Sequence, residues 1–353
     1  NIYQSYHFYF PPQGLRLIQN NNNFDFLRFL FSFLVVIGHS ILLSGNPEFW
    51  NGFFAAMPNF SVYSFFIISG FLIYSSFDRS KSLNIYFRNR IKRIVPAYFF
   101  IVITFAFLLY FFSGTTLQNY FSSDWVKYLG ANLVFANFLK PCIQYVFENN
   151  LHCAVNGSLW TIKVEIMFYV FVPILYYFIH KKSRKSQNVI IISIYFFSLI
   201  YSYYVNKYFN YELSKQFPGS LKYFVVGILL YINFDYFNTK KNKILIVFLF
   251  LGIMEFLYSP VQIIFALSLG ISIVWLAFSK LPVKNFGKYG DFSYGMYLIH
   301  FPVIQIFVQE KIYENYSFFG LFLSYVVIIF LSVMIWKLIE EPFLRERRKK
   351  THL

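Results

Sequence analysis

The stretch Asp25-Phe-Leu-Arg28-Phe-Leu-Phe-Ser32-Phe-Leu-Val-Val-Ile-Gly-His39-Ser-Ile-Leu-Leu43 decides the fold. Its length is close to the roughly 20 apolar residues that a membrane-crossing helix needs. Asp25, Arg28, Ser32 and His39 follow one another at spacings of three, four and seven. At about 100° per residue they share roughly a 60° sector, a polar stripe on an apolar rod. Asp25 and Arg28 sit at i,i+3 and can pair. His39 lies about 16 Å further along the helix axis. Such a stripe is costly against lipid, so the helix belongs inside a bundle, where ionisable groups mark function. A plainer reading makes Asp25–Arg28 an interfacial anchor and His39 a packing histidine.

The rest of the chain agrees with lipid as the solvent. It has 353 residues, 58% hydrophobic, 24% aromatic and only 13% charged. A soluble domain is about 45–50% apolar and about 25% charged. Surface grows nearly as fast as volume, so a soluble core could not hide the excess. Soluble and disordered classes are excluded. The spacing predicts an all-α polytopic bundle of ten spans, near 25–43, 60–77, 95–113, 158–179, 188–206, 217–236, 243–258, 260–279, 290–309 and 317–339. The short stretch 125–139, carrying Asn132 and Asn137, reads as a re-entrant or interfacial segment.

The net charge of +16 is explained by topology rather than by nucleic acid. Bases cluster in loop 78–94 (Arg79, Lys81, Arg88, Arg90, Lys92, Arg93), in loop 180–187, near Lys240 to Lys243, at Lys280, Lys284 and Lys288, and in the tail from Arg345. These loops alternate with base-poor ones, which puts both termini in the cytoplasm. The expected organisation is a cytoplasmic tail at 1–23 without a cleavable leader, a membrane domain at 24–345 and a basic cytoplasmic tail at 346–353. Cys142 and Cys153 then share one long outer loop. A disulfide and two plain thiols fit there equally. No metal-ligand spacing is present.

Further polar groups fall at membrane depth. Glu165, in Ser158-Leu-Trp160-Thr-Ile-Lys163-Val-Glu165, lies about two turns below the outer surface and needs a partner; His39 is a candidate, and a structural ion pair is the alternative. Ser293, Tyr297 and His300 share one helix face, as reactive groups or as polar glue between helices. Ser69-Gly70 admits either a thin ligand or a packed helix. Arg88, Arg90 and Arg93 suit phosphate recognition, although charge alone favours a topology signal or anionic lipid.

Taken in order, these stretches resemble the acyltransferase-3 family of integral membrane O-acyltransferases. The similarity rests on Phe24-Asp25-Phe-Leu27-Arg28 with His39, on Ser69-Gly70-Phe71, and on Arg90-Ile-Lys-Arg93-Ile-Val-Pro96. It rests also on Leu159-Trp160 with Glu165, Tyr169 and Pro173, on Ser293-Tyr294-Gly-Met-Tyr297-Leu-Ile-His300, and on Glu340-Glu341-Pro342. It spans roughly residues 24–345. The small residues usual after the first-helix arginine of the family are Phe29, Phe31 and Ser32 here, and Lys163 stands where a small or hydroxyl residue is usual. The esterase-like soluble domain fused to some members is not expected here.

The resemblance implies a bacterial cytoplasmic-membrane enzyme. It would move an acyl group, most often acetyl, from cytoplasmic acetyl-CoA to a hydroxyl of an extracytoplasmic or lipid-linked glycan. It implies a catalytic centre of His39 and Glu165, with Asp25 and Arg28 essential to it, and CoA phosphates on Arg90 and Arg93. Beside it, the residues suggest Arg88, Ser69 and Gly70 along the donor path, and Tyr297, His300 and Trp160 toward the substrates. In that scheme Glu165 orients the His39 imidazole, and Tyr297 or His300 donates to the oxyanion. The rival reading is a transporter or flippase, which would use a similar polar path. Oligomeric state is not legible.

Overall fold

A computed structural model describes residues 22–46, 49, 51–258, 262–283 and 286–344. The expected tails, apart from Asn22 and Asn23, lie outside the described residues, as do Lys284 and Arg345. Among the described residues the regular structure is entirely helical.

Each expected span coincides with a helix. The long helices are α1 (Phe24–Ser44), α2 (Met57–Ser80), α3 (Leu83–Leu108), α5 (Trp160–Ile179), α6 (Arg184–Tyr208), α7 (Phe217–Ile232), α8 (Phe234–Tyr258), α9 (Phe265–Ala277), α10 (Ser293–Gln309) and α11 (Ile312–Ile335). The segment expected to lie at the interface is α4 (Ser123–Leu133), 11 residues long. At 1.5 Å per residue it covers about 17 Å, too short to cross. The Tyr98 hydroxyl of α3 donates to the Asn132 carbonyl at 2.8 Å, which pins this segment to α3, and Asp124 pairs at 2.5 Å with Lys140, beyond the segment's end.

Length separates the helices further. Six of them (α1, α2, α3, α5, α6 and α11) are long and apolar enough to cross a membrane by themselves. The pair Tyr211–Ile232 and Phe234–Glu255 passes only together, bent by 107°. Helix α9 has 13 residues and α10 has 17. Thirteen residues reach about 20 Å, short of a hydrocarbon layer about 30 Å thick. The helix expected from residue 260 begins instead at Phe265, where the Glu255 carboxylate accepts the N–H groups of Ile263, Ile264 and Phe265. A carboxylate there satisfies donors that a helix start leaves open. At the far end of α9, Asn23 donates to the Leu276 and Ser279 carbonyls at 2.9 Å, which ties α9 to the start of α1.

Helix α7 is the hub and packs on α2, α6 and α9; α1 is held between α2 and α10. Lipid is as apolar as leucine, so helices associate here through close contact rather than water exclusion. The crossing of α2 and α7 shows this. A Cβ on Gly70 would lie 1.9 Å from the Phe224 carbonyl oxygen, and one on Gly227 would lie 2.1 Å from the Ile67 carbonyl oxygen. Phe168 stacks on Phe224 beside this crossing, with ring centres 4.1 Å apart. Cys142 and Cys153 form a disulfide, which closes the loop at the end of the bundle where α5 begins.

Candidate functional site

The polar stripe of α1 faces the interior and joins charges from three other segments. Arg28 pairs with Asp25 at 2.5 Å and with Asp291, just before α10, at 3.0 Å. Arg93 on α3 takes the same Asp291 oxygen at 2.7 Å and Glu340 at 3.1 Å. Two guanidiniums are thus shared among three carboxylates, and Glu340 is 2% exposed. The Ser293 hydroxyl donates to Asp291, and Ser32 donates to the Ser293 carbonyl at 2.9 Å. A π-helical turn, Trp336–Glu340, closes α11 and sets Glu340 inward.

Arg90, one turn before Arg93, is in a different situation. Its guanidinium lies over the rings of Tyr86 and Tyr169, 5.7 and 5.6 Å away, and touches Ser76 at 3.3 Å. Among the described residues it forms no ion pair, and its buried Nε has no partner. Arg88 is exposed and stands apart.

A cavity of about 140 Å3 runs inward from these arginines. Arg28, Arg90 and Arg93 line one end, Ser69 and Glu165 its length, and Thr161 and Tyr297 the far end. Gly70 is not in this wall; it is consumed by the crossing with α7. Glu165 accepts from the Tyr169 hydroxyl at 2.5 Å, and the charges acting on it are those of Arg93, Arg90 and Arg28. Tyr297 bonds Thr161 at 2.7 Å and donates to the Ser158 carbonyl at 3.1 Å.

The expected contact between His39 and Glu165 is replaced by another. His39 Nδ1 lies 2.8 Å from His300 Nε2, the rings nearly parallel at 11°. His300 is fully buried, and its Nδ1 lies 2.7 Å from the Tyr297 carbonyl. A carbonyl only accepts, so His300 Nδ1 carries the proton. With both rings neutral, His300 Nε2 accepts from His39 Nδ1–H, and the lone pair of His39 sits on Nε2. His300 therefore serves His39, and both of its nitrogens are committed. It is not a free oxyanion donor.

The cavity wall stops at Tyr297, whose ring centre is 5.7 Å from that of His300; His39 is not part of the lining. Trp160 is half-buried beneath Lys215, 5.1 Å away, and also stands outside this cavity. Sequence reasoning assigned no role to Asp291 and named Glu340 only as part of a motif. Their role as counter-ions is a tertiary fact: they lie 198 and 247 residues from Arg93 along the chain, so no spacing signals it. Among the described residues no group of His, Cys, Asp or Glu is placed to hold a metal ion.

The arrangement offers an unpaired guanidinium at one end of a buried path and an oriented imidazole beyond the other. That pairing suits an anionic donor and proton transfer from a hydroxyl. Comparison with known proteins agrees. A family model described as an acyltransferase domain matches residues 21–339. An O-acetyl transferase of Shigella phage Sf6 is 28% identical over 95% of this chain and 100% of its own length. Nodulation protein 10 of Rhizobium leguminosarum bv. viciae is 26% identical over 93% of this chain and 94% of its own length. The O-acetyltransferase OatA of Staphylococcus aureus is 24% identical over 75% of this chain and 48% of its own length. No solved structure matches the chain.

Proposed function

This chain belongs to the acyltransferase-3 family, an O-acyltransferase with membrane-crossing helices, and from that premise we propose its reaction. It moves an acetyl group from cytoplasmic acetyl-CoA to a hydroxyl of an extracytoplasmic or lipid-linked glycan, across a bacterial cytoplasmic membrane. The arginine end of the bundle faces the cytoplasm, in keeping with the clustered bases of its loops. Family membership favours this over transport.

The observation that carries the reading is the Tyr297–His300–His39 relay at the end of the cavity. The CoA phosphates bind Arg90, which has no carboxylate partner among the described residues, rather than Arg93, which has two. The donor arm follows the cavity past Ser69 and Glu165. The cavity wall ends at Tyr297, so the thioester reaches His39 only when that ring turns out of the way. His39 Nε2 takes the proton of the acceptor hydroxyl as its oxygen attacks the thioester carbonyl. The C–S bond breaks, and CoA leaves as the thiol with that proton. Glu165 holds the Tyr169 hydroxyl and balances the arginine charge along the path.

Incubating the purified chain with radiolabelled acetyl-CoA and membrane fractions tests this. Label should reach a glycan with release of CoA, and His39→Ala should abolish both while the protein still inserts. Normal glycan acetylation by that variant refutes the reading.

A further inference from the structure

Helix α10 is interrupted beside the imidazole pair. Pro302 has no N–H, so the Leu298 carbonyl four residues earlier lacks its helical partner. Asn156, buried in the loop before α5, supplies one: its amide donates to that carbonyl at 2.7 Å. About one turn beyond Pro302, Gln305 is fully buried. Its amide nitrogen donates to the carbonyls of His152 and Ala154 at 2.5 and 2.9 Å, and its oxygen accepts from Asn150 at 3.0 Å. Asn150 donates to the Gln305 backbone carbonyl as well, at 2.9 Å.

The loop 150–156 thus grips α10 at Leu298 and at Gln305, and His300 lies between the two grips. The Cys142–Cys153 disulfide closes this loop on itself, helped by the Val155 N–H on the Pro141 carbonyl at 2.9 Å. The loop also meets α1. A Cβ on Gly45, just past that helix, would lie 3.1 Å from the Leu151 side chain. Gly45 is six residues, about 9 Å, beyond His39. Next to the loop, Gly157 leaves room for the Phe301 ring, which a Cβ would meet at 2.7 Å, and Phe301 packs 5.4 Å from the His39 ring. The bond between His39 and His300 joins two helices and needs both distance and direction. It holds only while α10 keeps its height and rotation against α1, and the ties at Leu298 and Gln305 fix both.

We infer that Gln305 is a positioning residue for acyl transfer: through the disulfide-closed loop it holds α10 where His300 meets His39. The inference rests on the acyl-transfer reading and adds to it a residue outside the donor cavity. Gln305 is not part of that cavity's wall, so its influence falls on the imidazole pair rather than on the donor.

The test compares the unaltered full chain with Gln305→Met, which keeps the length of the side chain and removes its amide. Both are studied in nanodiscs, with the disulfide intact and reduced. With membrane fractions as acceptor, Gln305→Met should lower kcat for CoA release about tenfold, the worth of one or two hydrogen bonds, with the KM for acetyl-CoA unchanged. Reducing the unaltered protein should lower kcat about three- to tenfold. Reducing Gln305→Met should add little, because both changes release the same loop. Nitrogen-15 labelling of histidine reads the rings directly. The His39 Nδ1 signal, bonded to His300 in the unaltered protein, should move toward that of a free imidazole in Gln305→Met. A folded Gln305→Met with kcat within a factor of two overturns the inference. So do losses that multiply, or a loss of kcat with the ring signals unchanged, which makes Gln305 a support of stability alone. If Gln305→Met does not fold, the unaltered protein decides: reduction that leaves kcat and the ring signals unchanged overturns the inference. The ring signals need no acyl transfer, so a shift seen in a preparation that releases no CoA sinks the acyl-transfer reading and not the positioning.

Discussion

Replacing His300 by Phe removes the acceptor that orients His39 while keeping a ring of similar size in a fully buried place. Two contacts vanish, the 2.8 Å bond to His39 Nδ1 and the 2.7 Å bond to the Tyr297 carbonyl. The lost bond to His39 contributes about 1 kcal/mol, and leaving its Nδ1–H without an acceptor costs about 1–3 kcal/mol more. The imidazole escapes that cost by turning or by moving its proton to Nε2, and either change removes the base. At about 1.4 kcal/mol per factor of ten, kcat should fall roughly 30- to 1,000-fold. The KM for acetyl-CoA should not change, because the arginine end is untouched. His300→Gln should recover part of the rate, since its amide oxygen can accept from Nδ1–H. Steady-state CoA release at varied acetyl-CoA, with protein matched by gel filtration, gives both constants. A His300→Phe enzyme within a factor of three of the unaltered rate refutes the relay. So does a loss confined to KM.

The two arginines should separate. Arg90→Ala should raise the KM for acetyl-CoA about 10- to 100-fold with little effect on folded yield, the worth of a charged hydrogen bond to phosphate. Arg93→Ala should instead lower the yield of folded protein, because it strands Glu340 and half of the Asp291 interaction, a loss of about 3–5 kcal/mol; thermal melting in detergent measures it. Gly227→Val should fail to give a monodisperse peak, since the Ile67 backbone oxygen stands 2.1 Å from where its Cβ must go. Replacing Cys142 and Cys153 together by Ser should lower the melting temperature by an amount equivalent to about 2–4 kcal/mol, with CoA binding at the far end unchanged.

The helices were legible because lipid imposes one rule on every residue it touches, so a run of apolar side chains is nearly sufficient evidence. Their ends were less so. The start of α9 at Phe265 depends on Glu255, a residue ten positions earlier whose carboxylate satisfies three backbone donors. No local pattern announces that. The stripe Asp25, Arg28, Ser32 and His39 was readable from spacing alone, and the structure turns it inward toward α10. Its partners were not readable. Depth in the membrane made Glu165 a reasonable companion for His39, yet depth does not give azimuth, and His300 holds that direction. Gly70 was open between ligand path and packing; only the position of α7 decides it, and its neighbour Ser69 lines the cavity.

The wide turn that closes α11 has an implication for how this chain tolerates change. A π-helical turn contains one residue more than the ladder around it needs, so residues after it are rotated by about 100° relative to an uninterrupted helix. Glu340 reaches Arg93 from within that extra loop of backbone. Removing a single residue upstream in Trp336–Glu340 would barely shorten the protein. It would nonetheless swing this acid off the seam and present its neighbour Glu341 to a different azimuth. Length variation at the end of the last helix should therefore be tolerated only after Pro342, and a screen of one-residue deletions along 333–344 would show a sharp boundary there.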